Sequence, residues 1–145
     1  MTVSKSVLTL LALLLLSGCV HSPPAEPTAP APVVVVDPLY CGSRADCTTK
    51  VSRTLLFVFD YAAAGAPLVQ REGRLLFTPR DAAPSGWPAI RIHLAEPADS
   101  RFEFEAQCRA LHCRHDAAQL LRVYRSYLAG APCSLRDDEI ERCGD

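Results

Sequence analysis

The chain has 145 residues, with 15 lysines and arginines against 16 aspartates and glutamates, for a formal net charge of −1. The cations are scattered and form no basic run, so there is no electrostatic case for nucleic acid as a partner. Length limits the folded part to one ordinary domain.

First in chain order is a ten-residue apolar run, residues 7–16, behind a short segment holding one cation, Lys5. As a helix at about 1.5 Å per residue it spans ~15 Å, half of the ~30 Å hydrocarbon core of a bilayer. That is too short for a transmembrane helix and has the proportions of a signal-peptide apolar region. The run closes on Leu16-Ser17-Gly18-Cys19, an aliphatic residue, two small residues and a cysteine, which resembles the lipobox of bacterial lipoproteins. The resemblance implies cleavage between Gly18 and Cys19, a diacylglyceryl group on the Cys19 thiol and acylation of the freed amine. At about 0.8 kcal/mol per buried methylene, several acyl chains hold a protein to the membrane almost irreversibly. Val20, not aspartate, follows Cys19; by the sorting rule of that family this implies the outer membrane, facing the periplasm. Removing residues 1–18 leaves 127, with 14 cations against 16 carboxylates, and every remaining cation except Lys50 is an arginine.

Residues 19–38 read as a lipidated tether. Proline fills five of the twelve positions 21–32 and suits neither a helix nor a sheet interior. In polyproline II, at about 3.1 Å per residue, those positions reach ~35 to 40 Å. The valines at 33–36 read as a short strand or as an extended segment docking onto the domain, which spans 39–145.

Within that domain, Val51, Leu55, Val58, Phe59 and Ala62 recur at helical spacing. This predicts a helix over 51–62 with Asp46 as N-cap and Gly65 and Pro67 as the stop, although the apolar run 54–59 also suits a buried strand. Residues 67–77 suit a helix begun by Pro67 or a hairpin of 68–69 with 75–77, and 78–86 read as loop. Pro88 predicts a short helix to residue 95, while Ile90 and Ile92 alternating with Arg91 and His93 also spell a strand. Ser100-Arg101-Phe102-Glu103 has capping-box spacing and predicts a helix to about residue 111. Ala117, Leu120, Leu121, Tyr124 and Leu128 make an apolar stripe, predicting a helix over 116–129. Ser134 heads a short acidic turn through Asp137, Asp138 and Glu139. Leu55-Leu56 leading to Ala64-Gly65-Ala66-Pro67 recurs as Leu120-Leu121 leading to Ala129-Gly130-Ala131-Pro132, so two helices should end in the same turn. The capping signals favour a mostly α fold, a small helical-hairpin domain stapled by disulfides, with α+β as the alternative.

Leu55-Leu56, Pro67, Arg71-Glu72 and Ile90-x-Ile92-x-Leu94-Ala95, over residues 52–112, resemble helical, tetratricopeptide-like outer-membrane lipoproteins, some associated with sensor kinases. The resemblance implies a helical protein-interaction scaffold at the envelope and assigns no binding residue.

With Cys19 given to lipid, six cysteines remain: Cys41, Cys47, Cys108, Cys113, Cys133 and Cys143. An even count in an exported chain points to disulfides, and six thiols allow 15 pairings among which sequence does not choose. Cys108, His112, Cys113 and His115 are the rival zinc ligand set, but they lack a recognised ligand spacing. His93 reads as a half-buried structural histidine.

There is no GxSxG elbow, HExxH, P-loop or Gly-rich dinucleotide turn, so no catalytic residue, metal or cofactor is assigned and the chain reads as a non-enzyme. Asp137, Asp138, Glu139 and Glu141 could attract calcium, but the EF-hand spacing and glycine are missing. Two functions remain. The first is an envelope scaffold, membrane-bound through Cys19, that holds another envelope protein in a helical groove. The second is an inhibitor or immunity lipoprotein that blocks a periplasmic hydrolase with a disulfide-pinned loop. Residues 78–88, with Trp87, are the candidate plug, and Trp87 alternatively packs in the core.

Overall fold

The computed structural model describes residues 36–96, 100–136, 140 and 143. The signal segment, Cys19, most of the tether and the acidic residues Asp137, Asp138, Glu139 and Glu141 lie outside the described residues.

Helix α1, Arg44–Ala63, starts one turn earlier than Asp46 would have set it. Ser43 is the N-cap, its hydroxyl accepting from the Asp46 amide at 3.1 Å, and Asp46 reaches back to accept from the Gly42 amide at 3.1 Å. Asp46, at N3, thus reaches past the N-cap and satisfies the Gly42 amide just before it. The buried stripe is Lys50, Thr54, Phe57 and Tyr61, one position off the expected Val51, Leu55, Val58, Phe59 and Ala62; Phe59 is 71% exposed. Ring size decides this rotation, because Phe57 and Tyr61 fill the space under the second helix and the sheet better than valine or alanine would. Lys50 tolerates burial because its ammonium donates to the Tyr40 carbonyl and pairs with Asp46 at 3.3 Å.

Helix α2, Ala117–Ala129, matches its sequence expectation. Asp116 accepts from the Gln119 amide at 2.7 Å while the Gln119 side chain accepts from the Asp116 amide at 2.9 Å, a complete capping box. Leu120, Val123, Tyr124, Tyr127 and Leu128 are its buried face. The two repeated turns do close alike: Ala66 donates to the Tyr61 carbonyl and Ala131 to the Ser126 carbonyl, each across a left-handed glycine, Gly65 at φ +96° and Gly130 at φ +88°.

Between the helices the chain forms a four-stranded antiparallel meander: β1 (Gln70–Glu72), β2 (Leu75–Phe77), β3 (Ala89–His93) and β4 (Glu103–Gln107), in the order β1-β2-β3-β4. The fold is therefore α+β, and the mostly α, helical-hairpin expectation is overturned. Gly73, at φ +56°, takes the first central position of the two-residue β1–β2 turn, which a β-carbon would disfavour. The helix expected over 100–111 is instead β4, because Phe104 and Ala106 alternate with Glu103, Glu105 and Gln107, a period of two. Its approach is fixed by backbone pairing, Cys41 donating to the Ser100 carbonyl at 2.8 Å and Phe102 to the Leu39 carbonyl at 2.8 Å. The helical scaffold implied by the tetratricopeptide-like resemblance fails over the same stretch.

Register puts Leu76, Ile92 and Phe104 in one row, with Ile90 beside Ala106 in the next. This face carries the core: Phe104 stacks on Tyr124 with ring centroids 5.0 Å apart and meets Phe57 edge-on at 6.0 Å. The opposite face presents Leu75, Phe77, Arg91, His93, Glu103 and Glu105, and the two described helices do not pack on it. The architecture is two layers, both helices on one side of the sheet.

All six cysteines named above pair with a near neighbour in sequence, Cys41–Cys47, Cys108–Cys113 and Cys133–Cys143, with Cα separations of 5.1, 5.8 and 5.7 Å. Each staples one local segment to itself, so the register of the sheet rests on apolar burial.

Candidate functional site

The site is built at the end of the sheet where β4 runs into α2. Trp87 sits just before β3 and is a core residue, 6% exposed. Its ring meets Tyr61 edge-on at 5.2 Å and lies 4.8 Å from His115, and the Arg114 guanidinium covers it at 5.4 Å. Burial against Tyr61 gives Trp87 the core role that was its alternative, while residues 80, 81, 83, 84 and 86 of the same loop stay exposed.

What projects is the loop closed by Cys108–Cys113, with Arg109, Ala110, Leu111 and His112 between the cysteines. Leu111 at its tip is 97% exposed. An apolar side chain so bare gains no burial from folding, and Leu111 is the barest of the large exposed hydrophobics among the described residues, ahead of Leu68 and Phe59. The loop is held at both ends. On one side the Arg109 guanidinium donates to the Pro79 carbonyl at 2.7 Å. On the other the Arg114 amide donates to the Gly86 carbonyl at 2.7 Å, and His115 next to it is buried against Trp87. Loop 78–88 therefore buttresses the disulfide loop, and Trp87 locks that buttress to α1.

Beside this loop, the uncovered sheet face forms a concavity of about 710 Å³. Leu75 and Phe77 are its half-buried apolar floor, Arg80, Arg91 and Arg109 stand along it, and Glu72 and Glu105 are the carboxylates lining it. Sequence reading missed this arginine set, because Arg80 and Arg109 come from two loops that only the meander brings together. Leu111 was missed as well, because a leucine inside a short cysteine loop stands out only once Cys108 is known to pair with Cys113.

The other expected residues are not brought together. Cys108 and Cys113 bond to each other, and His115 packs on Trp87, which takes three members from the proposed zinc set. His93, expected to be half-buried, is exposed on the outer sheet face, where its Nε2 accepts from Arg91 Nε at 3.4 Å. Among the described residues no helix is long and apolar enough to cross a membrane, and no cluster of three or more metal-ligating side chains forms.

No family model, curated protein or solved structure matches this chain. The surface itself therefore carries the functional argument. Its chemistry is that of recognition: a pinned loop with an apolar tip, a solid support and a cationic concave flank. The phenols of Tyr61, Tyr124 and Tyr127 are pushed up from their ordinary value chiefly by burial; all three belong to the helix–sheet core, and Tyr127 also lines a shallow hollow beside Asp60, away from the disulfide loop.

Proposed function

We propose that this protein is a lipid-anchored inhibitor of a hydrolase in the bacterial envelope, with the Cys108–Cys113 loop as the part that enters the enzyme's cleft. The observation that carries the reading is Leu111, 97% exposed at the tip of a loop fixed by a disulfide and by two backbone-directed hydrogen bonds. A loop held in its bound shape loses little entropy on docking, which is how small inhibitors reach high affinity. The rival scaffold reading needs an apolar groove between helices. Phe57, Tyr61 and Tyr124 occupy that space as core, so the inhibitor reading is preferred.

In this reading Cys19 carries the lipid, residues 19–38 are the tether, and the domain faces the periplasm from the outer membrane. The partner is another envelope protein, and the protein itself is not an enzyme and uses no cofactor. Two experiments test the proposal. Changing Cys19→Ala should leave an unprocessed precursor with no lipid label, and a labelled mature product would refute the anchor. The oxidised chain beginning at Val20 should inhibit an envelope hydrolase stoichiometrically, and Leu111→Asp should abolish this with the circular dichroism spectrum unchanged. Unaltered inhibition by Leu111→Asp would remove the loop from the mechanism.

A further inference from the structure

We propose that the cleft this loop enters is acidic, the catalytic cleft of a glycan-cleaving hydrolase that works with two carboxylates. The inference rests on the inhibitor reading and names its target class.

Two observations at different places carry it. The first is in the loop, where residues 107–115 hold two arginines and two histidines and no carboxylate. Arg109 is directed to the loop base, where its guanidinium donates to the Pro79 carbonyl at 2.7 Å. The second is the concave sheet face next to it, where Arg80 and Arg91 join Arg109 over the Leu75 and Phe77 floor. Three guanidinium groups there outnumber the two carboxylates, Glu72 and Glu105, on a chain whose net charge is negative. The lining of this concavity thus carries one more guanidinium than carboxylate, although the chain as a whole is acidic.

Envelope hydrolases differ in what their clefts present. A glycan hydrolase needs two carboxyl groups flanking the scissile bond, roughly 5 to 9.5 Å apart, with at least one ionised. A zinc enzyme centres its cleft on a bound dication that already neutralises the carboxylates around it. A serine or cysteine enzyme keeps its acid behind a histidine. The first offers paired carboxylates that this loop and its flank complement. Leu111 then takes a subsite where the enzyme grips the apolar face of a sugar ring, and the arginines of the sheet face meet the acidic rim. Such complementarity acts mostly on the association rate, and salt screens it.

The test uses the oxidised chain beginning at Val20 against three enzymes that cut the same peptidoglycan: a muramidase with paired carboxylates, a zinc amidase and a cysteine endopeptidase. The muramidase alone should be inhibited, less so as salt is raised. Arg80→Gln with Arg91→Gln should slow association about tenfold at low ionic strength and leave dissociation nearly unchanged. Both residues are exposed or half-exposed, so the double variant keeps the fold. Inhibition of only the zinc or cysteine enzyme would overturn this inference and leave the inhibitor reading standing. Inhibition of the muramidase with no salt dependence would overturn the charge argument. Inhibition of none of the three overturns the target class, and Leu111-dependent capture of a different hydrolase then decides the inhibitor reading separately.

Discussion

The Tyr124 hydroxyl lies 3.0 Å from the Thr54 hydroxyl in the buried seam between α1 and α2. Thr54 also donates to the Lys50 carbonyl at 2.9 Å. A hydroxyl has one proton, so Tyr124 must be the donor of the shared bond. Removing the acceptor is then worse than removing the donor. Thr54→Val keeps shape but strands the Tyr124 proton, at a cost of about 1 to 3 kcal/mol, whereas Tyr124→Phe leaves Thr54 bonded to Lys50 and costs about 1 kcal/mol. Urea midpoints of the two variants check the order, and the reverse order would show that Tyr124 finds another acceptor.

The same phenol belongs to a set whose ionisation opposes folding. Burial raises Tyr61, Tyr124 and Tyr127 above the ordinary phenol value, helped at Tyr127 by the Asp60 carboxylate 2.7 Å away. A raised folded value means that the folded state holds its protons where the unfolded chain, titrating near ~10, gives them up. Stability from these groups is therefore complete below pH ~10 and falls as pH rises beyond it. Denaturant midpoints from pH 8 upward should stay level until about 10 and then drop, with tyrosinate absorbance from these three residues appearing only on unfolding. Three tyrosinates in a chain that keeps its near-ultraviolet circular dichroism would contradict the prediction.

How legible the fold was depended on which signal dominated locally. At α2 the signal is short-range, the apolar stripe of Ala117, Leu120, Leu121, Tyr124 and Leu128, and it places the helix to within a residue. At α1 the helix was legible but not its buried face, because the choice between Val58 and Phe57 is made by α2 and the sheet, not by α1 itself. At β4, capping-box spacing at Ser100 competed with the alternation of Phe104 and Ala106 with their charged neighbours, and pairing with β3 decided it. That pairing is long-range and leaves no local trace. Cysteine pairing was hidden in the same way, since spacing alone did not favour Cys108–Cys113 over 14 other schemes. The candidate site depended on both, and so was invisible until β4 and its loop were in place.

Gly130 closes α2 in a left-handed conformation, φ +88°, under the side chain of Arg53. That guanidinium donates to the Leu128 carbonyl at 2.6 Å, satisfying one acceptor at the helix end. A β-carbon on Gly130 would sit 2.5 Å from Arg53 Nη2, while one on Gly65, at φ +96°, meets nothing closer than the Trp87 nitrogen at 3.8 Å. Gly65→Ala should therefore cost the backbone term alone, about 1 to 2 kcal/mol. Gly130→Ala should cost about 1 kcal/mol more, because Arg53 must move and its hydrogen bond is lost. Thermal unfolding of both variants, repeated with Arg53→Met, checks this. The difference between them should shrink once Arg53 is gone, and an unchanged difference would refute the contact.

The Cys108–Cys113 bond should matter far more to recognition than to stability. Its ring is small, spanning a separation of 5 residues, and in the chain-entropy model such closure stabilises by about 2 kcal/mol. The core residues Phe57, Leu120 and Tyr124 do not touch that account, being buried away from the loop on the helices. Replacing both cysteines by serine should thus shift the denaturant midpoint modestly and leave the far-ultraviolet spectrum intact. Recognition is different, because residues 110–112 would have to be ordered at the moment of docking, at about 1 to 2 kcal/mol each for the backbone. At 1.4 kcal/mol per tenfold in affinity, that weakens inhibition by about a hundredfold or more. Arg109, still tied to Pro79, keeps the loss from being total. Inhibition constants of the Cys108→Ser, Cys113→Ser double variant against the same hydrolase decide the matter. Full inhibition from a reduced, open loop would mean that Leu111 is not presented by a fixed frame and that recognition resides on the sheet face alone.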